Sequence, residues 1–286
     1  MKRIATIAAT IGFVLSVSAN ADDRFKDVKI IPQKLTSKTY MFTGAGGNIG
    51  VSAGEDGILI IDDQFAPLAD KIEKALTEIQ VGEPKYIINT HYHGDHTGGN
   101  EHFSHSGTIM AQHNVLKRLK SNPKIDKKAL PVITYEDGIS IHFNGTTMNV
   151  VHLKPGHTDG DSVVYWADDS VVHMGDLYFK DQFPYIDLKG GGSVIGYRDN
   201  VVAVLKRINN ETKVIPGHGE LATKADLVKF KVMMDDSINW MQQQLVQGHS
   251  LKKIKERGLP ESLKSWGWSF ITADKWIDTL YEDLKK

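Results

Sequence analysis

The stretch Thr90-His91-Tyr92-His93-Gly94-Asp95-His96-Thr97-Gly98-Gly99 places four side chains that suit a transition metal, His91, His93, Asp95 and His96, within six positions. It directly follows an apolar run, Tyr86-Ile87-Ile88-Asn89, that reads as a buried strand. A lone histidine, or even a His-x-His pair, is usually a satisfied core or surface residue. Four ligand-type groups at the end of a strand point instead to a metal-binding loop. In an extended chain the two-residue spacing of His91 and His93 puts both imidazoles on one side. Gly94 then allows a sharp change of direction that sends Asp95 and His96 elsewhere. One short loop thus offers two ligands to one metal and two to a neighbour. Imidazole with carboxylate suits zinc, and also iron or manganese.

Three later positions carry the same chemistry. Pro155-Gly156-His157-Thr158, Gly175-Asp176 and Pro216-Gly217-His218-Gly219 each follow an apolar, strand-like run and place a ligand-type residue beside glycine. The C-terminal ends of strands are where an α/β sheet builds its site. Asp62 and Asp63 close another such run, and a strand-end aspartate there is placed to brace a metal ligand from behind. The remaining histidines, His102, His105, His113, His142, His152, His173 and His249, lack this context and read as surface or core residues.

Between these motifs the chain alternates strand-like and helix-like segments. Residues 29–31, 39–43, 48–51 and 57–61 read as strands separated by glycine-bearing turns, with Gly44-Ala45-Gly46-Gly47 a hairpin tip or lid. Helical periodicity covers residues 68–79, 113–119 and 193–208, with a short helix opening near residue 100. Residues 108–111 read as a strand, and residues 131–154 carry two or three more around Phe143-Asn144-Gly145. A hairpin over 162–174 turns at Asp168-Asp169, and a short strand covers 212–215. A long helix over 223–247 and two shorter ones finish the chain. This order predicts an α/β protein of two similar halves, each a sheet covered by helices on one face.

Residues 1–21 stand apart. A basic start (Lys2, Arg3), an apolar stretch too short to span a bilayer comfortably and a small-residue end at Ala19-Asn20-Ala21 predict a secretory signal peptide cleaved after Ala21. The expected mature protein is periplasmic or secreted, and its single domain runs over 22–286, with a helical part from about residue 223. No later segment is apolar enough to insert in a membrane. A formal net charge of −1 argues against nucleic acid as a partner. The chain has no cysteine, so neither a disulfide nor a thiolate ligand is available.

With these motifs in hand the chain resembles the metallo-β-lactamase superfamily over about residues 28 to 240. The resemblance implies a four-layer αββα sandwich with its metal site at one edge. By position it implies that His91, His93 and His157 hold a first metal, that Asp95, His96 and His218 hold a second, and that Asp176 bridges them. It further implies two zinc ions per chain activating a water that Asp95 orients for attack on a carbonyl carbon of a small-molecule substrate. Tyr178, Phe179, Phe183 and Tyr185, just after Asp176, are expected to wall the substrate pocket. The departures are informative. First-subclass β-lactamases use cysteine where Asp176 stands, and third-subclass enzymes usually lack a metal-binding aspartate there. The seven-ligand set is similar to that of hydroxyacylglutathione hydrolases, lactonases and phosphodiesterases. Diiron flavoproteins carry glutamate at the place of His93. The expected activity is hydrolysis of a cyclic amide or ester, a β-lactam or lactone. The alternatives are a thioesterase or phosphodiesterase, or a persulfide dioxygenase-like oxidoreductase with one iron. Oligomeric state is not legible from the sequence.

Overall fold

The computed structural model describes residues 24–285; the expected signal peptide lies outside the described residues. The first sheet runs in the order β1 (Ile31–Lys34), β2 (Thr39–Thr43), β3 (Ile49–Gly54), β4 (Gly57–Ile61), β5 (Pro84–Asn89), β6 (Thr108–Gln112) and β7 (Ile133–Tyr135). The second contains β8 (Gly138–Phe143), β9 (Thr146–His152), β10 (Ser162–Trp166), β11 (Val171–His173), β12 (Lys213–Ile215) and β13 (Ala222–Thr223), in reverse chain order across the sheet. The helices are α1 (Ala69–Ile79), α2 (Gly94–Thr97), α3 (Asn100–Phe103), α4 (His113–Ser121), α5 (Val194–Arg207), α6 (Lys224–Val246), α7 (Leu251–Arg257), α8 (Glu261–Lys264) and α9 (Ala273–Leu284).

The strands with continuous apolar runs are those buried on both faces. In β4, Ile58 and Ile60 point to one side and pack with Ile72 and Leu76 of α1, while Leu59 and Ile61 point to the other. In β10, Val164 and Trp166 meet Leu59 and Ile61 between the sheets, whereas Val163 and Tyr165 face the cluster containing Val201 of α5 and Phe230 of α6. The side-chain period of two therefore sorts one run of residues into two cores. The expected four-layer αββα sandwich follows, with α1 and α3 outside the first sheet and α5, α6 and α9 outside the second. Fully burying each such aliphatic side chain is worth about 1.5–3 kcal/mol. Helix starts are marked by side-chain caps: Ser193 accepts from Gly196 N ahead of α5, and Thr223 with Asp226 forms a capping box on α6.

Two details differ from the sequence reading. The first strand lies at Ile31–Lys34 rather than 29–31, because an edge strand tolerates Pro32, which pairs with Phe42. Three helices, not two, follow α6, since Pro260 divides the tail into α7 and α8 ahead of α9. Among the described residues no helix is long and apolar enough to cross a membrane.

Two parallel pairs position the site. β4 pairs with β5 across the α1 crossover, and β11 pairs with β12 across α5, so the loops after all four strands emerge at one edge. The halves are tied there. Asn48 N donates to Gly217 O (2.7 Å), Asn48 Nδ2 donates to the carbonyls of Pro216 and Gly219 (2.9 Å each), and Ser162 N donates to Thr90 O (2.9 Å).

Candidate metal centre

After β5 the chain bends at residues 90–92, and the His91 and His93 rings stand 4.8 Å apart between centroids. His93 then caps α2, accepting from His96 N (3.0 Å) and Thr97 N (3.1 Å). This single helical turn swings Asp95 and His96 away from the first pair. Gly94 is not in the left-handed region, so the change of direction comes from helix initiation rather than from glycine's special freedom. His157 comes from the β9–β10 loop, Asp176 from the turn after β11, and His218 from the loop after β12. That last loop needs Gly217, where a side-chain Cβ would stand 2.1 Å from Asp176 Oδ1. The glycine-rich tip at 44–47 is pinned rather than free: Gly47 N donates to Asp95 O, and Gln64 Nε2 donates to Gly47 O.

All seven residues named from the sequence converge at this edge and fall into two groups, His91, His93, His157 with Asp176, and Asp95, His96 with His218. Asp176 stands between them. Its Oδ2 lies 3.4 Å from His157 Nε2 and 3.8 Å from His91 Nε2. Its Oδ1 lies 3.0 Å from His96 Nε2 and 3.3 Å from His218 Nε2. His93 Nδ1 is 2.8 Å from His157 Nε2, and Asp95 Oδ2 is 3.4 Å from His218 Nε2.

The residues fit metal ions. His91 Nε2, His96 Nε2 and Asp176 Oδ1 are buried without a well-formed hydrogen bond, and groups left so would cost free energy unless a cation satisfied them. The opposite ring nitrogens are occupied, which fixes the ring orientations. His91 Nδ1 meets Thr90 Oγ1 (3.0 Å), His96 Nδ1 meets Asp62 Oδ2 (2.7 Å), His157 Nδ1 meets Tyr185 O (2.7 Å) and His93 Nε2 meets Asp187 Oδ2 (3.1 Å). Asp62 also accepts from Thr90 N and Oγ1, so it braces both the ring and the strand end. It does so from a left-handed backbone (φ 63°), a conformation held where it serves a site. Asp63 accepts from Gly99 N (2.8 Å).

Charge divides the two groups. Burial drives His91 well below the usual imidazole range and His157 down to about 4. Burial also works against charging His96 and His218, but Asp176 and the other nearby carboxylates overcome it, lifting His96 well above its usual value and His218 to about 9. Asp176 stays ionised despite burial because His218, His96, His157 and His91 surround it.

Asp187 carries no motif and escaped the sequence reading. It anchors His93, accepts from Tyr92 Oη and Gly190 N, and donates its own backbone N–H to His157 O. His173 does reach a supporting position: its Nε2 meets Asn48 O at 3.0 Å. His113 meets Thr134 at the surface.

A cleft of about 540 Å³ opens over the two ligand groups. Phe179 and Tyr185 line it as expected from their position. Tyr178 and Phe183 do not. Tyr178 packs against Phe230 of α6 and Phe183 stacks on Trp276 of α9, both fully buried, because the segment after Asp176 alternates between cleft and core. Phe65, Trp268 and Phe270 complete the aromatic wall.

Residues 43–218 match the family model described as the metallo-beta-lactamase superfamily. The chain belongs to the metallo-beta-lactamase superfamily. Among its relatives within that superfamily, a hydroxyacylglutathione hydrolase of Crocosphaera subtropica is 34% identical over 97 residues, 33% of this chain and 34% of that protein. The chain thus matches only about a third of that enzyme's length. A probable metallo-hydrolase of Methanocaldococcus jannaschii is 28% identical over 209 residues, covering 66% of this chain and 90% of the relative. The solved metallo-beta-lactamase from Pontibacter korlensis superposes with a TM-score of 0.62 at 18% identity, covering 73% of this chain and all of that one, which establishes a shared fold.

Proposed function

We propose that the protein is an exported dinuclear zinc hydrolase that cleaves a C–N or C–O bond, with a cyclic amide or ester, a β-lactam or lactone, as substrate. The observation that carries this reading is the placement of Asp176 between two ligand groups, each with three further ligands. Two divalent ions bound there supply Lewis acidity and lower the pKa of water, so that hydroxide is available near neutrality. The chain's own residues do the rest. Asp95, whose side chain is partly open to the cleft, accepts a hydrogen bond from the attacking water and orients it. Asp62, Asp187, Thr90 and the Tyr185 carbonyl hold the imidazoles in the tautomers that leave Nε2 of His91, His96 and His157, and Nδ1 of His93, facing inward. The aromatic walls limit access of bulk water.

The set of imidazoles and carboxylates is one that zinc accepts, and the elemental analysis below decides between it and iron or manganese. Export is supported by the pattern of residues 1–21. The test pairs elemental analysis of the purified protein with parallel hydrolysis of a β-lactam, a lactone, a thioester and a phosphodiester. About two zinc ions per chain with turnover of the lactam or lactone is the expected result; one iron and no zinc, or turnover of none of the four, overturns the proposal. The relationship to a hydroxyacylglutathione hydrolase makes the thioester the informative competitor.

A further inference from the structure

The wall of the cleft that faces the ligands is supplied from an unexpected part of the chain. Trp268 and Phe270 lie between α8 and α9, about fifty residues beyond the last metal ligand and outside the segment that matches the family model. Their position is fixed by the backbone. Phe183 N donates to Trp266 O (2.8 Å), Trp268 Nε1 donates to Phe183 O (3.0 Å) and Trp268 N donates to Ile271 O (3.1 Å). The rings reach across the cleft mouth, Trp268 to Phe179 at 6.3 Å and Phe270 to Tyr185 at 5.6 Å. Phe270 is nevertheless 49% exposed, which is unusual for a phenyl ring held so firmly.

The charges in this cleft all belong to its floor. The lining acids and imidazoles are His93, Asp95, Asp176 and His218, each already assigned to the ligand set, and no lysine or arginine lines it. Two lysines approach without lining the cleft: Lys180 Nζ donates to Leu221 O, and Lys275 Nζ donates to Phe270 O and lies 5.1 Å from the Phe270 ring centroid, behind the wall. A substrate held here thus meets charge only at its reacting end. A remote carboxylate would be desolvated against aromatic rings with no cation in the cleft lining to pair it, whereas an apolar group would cover Phe270.

Resting on the hydrolase reading, we propose that the segment between α8 and α9 is the specificity wall of the cleft, and that Trp268 and Phe270 select substrates whose group remote from the scissile bond is uncharged and apolar. This disfavours glutathione thioesters, whose peptide carries carboxylates at both ends.

The test uses the zinc-loaded protein and a series of alkyl-substituted lactones and alkanoyl esters from two to ten carbons, each beside its ω-carboxylate counterpart. The expected kcat/KM rises by up to about fourfold per added methylene, and the ω-carboxylate lowers it by more than tenfold. Phe270→Ala, a change at a half-exposed ring, flattens the chain-length slope; Trp268→Phe, which loses the bond to Phe183 O, does so partially. A flat series, or a preference for the carboxylates, overturns the proposal. Calorimetric binding of uncharged alkylamides of the same chain lengths reads the wall without turnover. If no member of the series is hydrolysed but amide affinity still climbs with chain length and falls in Phe270→Ala, the hydrolase reading fails while the wall stands. Chain-length-independent amide binding removes the wall whatever is hydrolysed.

Discussion

Asp176 Oδ1 stands 3.0 Å from His96 Nε2, both atoms buried and neither in a well-formed hydrogen bond. The other oxygen of the same carboxylate faces His157 at 3.4 Å. One side chain therefore serves two ligand groups, and its loss should not fall on them equally. In Asp176→Ala the first group keeps three imidazoles, while the second keeps Asp95, His96 and His218. Zinc stoichiometry should fall from about two to about one per chain, and hydrolysis by ~100-fold or more. Circular dichroism should be unchanged with zinc in excess. Retention of both ions with full turnover would remove Asp176 from the ligand set.

The two braces should be separable. Asp62 accepts from His96 Nδ1–H, so Asp62→Asn offers an amide donor to that nitrogen and favours the tautomer with its proton on the inward Nε2. Asp187→Asn does the same to His93 through Nε2. Each change should weaken one ion by about 10–100-fold, the second group for Asp62 and the first for Asp187. Competition against a graded chelator measures this, and equal weakening of both ions by either variant contradicts it.

Gly217→Ala introduces a Cβ 2.1 Å from Asp176 Oδ1 and 2.7 Å from the Gly175 backbone. Neither contact can be relieved by a flexible side chain. The variant should lose about 1–3 kcal/mol in urea unfolding and bind the second ion poorly. A variant with unchanged stability and two tightly held ions would show that the Pro-Gly-His turn is free to move.

Proton release should distinguish the groups. In the metal-free protein the burial that lowers His91 and His157 leaves both neutral at pH 7, whereas Asp176 holds His218 at about 9 and His96 well up despite burial. Binding the second ion at pH 7 should then expel about two protons, and the first ion few. Affinity for the second ion should climb as pH rises through about 9, where His218 loses its proton. The raised His218 pKa also stabilises the metal-free fold: that contribution is complete below about 6.5 and is lost as pH rises through about 9. Indicator-dye titrations at pH 7 and pH 10 check the proton count; equal release at both would refute it.

The ligands were legible because they cluster in one short motif or stand beside glycine after an apolar run, where local pattern and function coincide. Asp187 was not, because it lies in an irregular stretch with no period and acts only through contacts made across the fold. Tyr178 and Phe183 show the same limit from the other side. In a non-repeating segment, aromatic composition does not reveal which rings face the cleft and which the core. Trp268 and Phe270 reach the site through hydrogen bonds to Phe183 and the docking of α9 against α6, long-range events without a local signature. The sandwich itself was readable because its strands alternate or run apolar in a way that sheet geometry dictates.

Asn48 hands its backbone N–H and its side-chain amide to the loop that carries His218. Four of the seven ligands lie on one side of that seam and three on the other. A nascent chain has made His91, His93, Asp95 and His96 before the shared carboxylate or the last histidine exists. It then offers only loose chelation, and tight capture waits until β12 has joined β11. Metal uptake would in this way act as a checkpoint on completed folding, passed only by molecules whose two halves have already met.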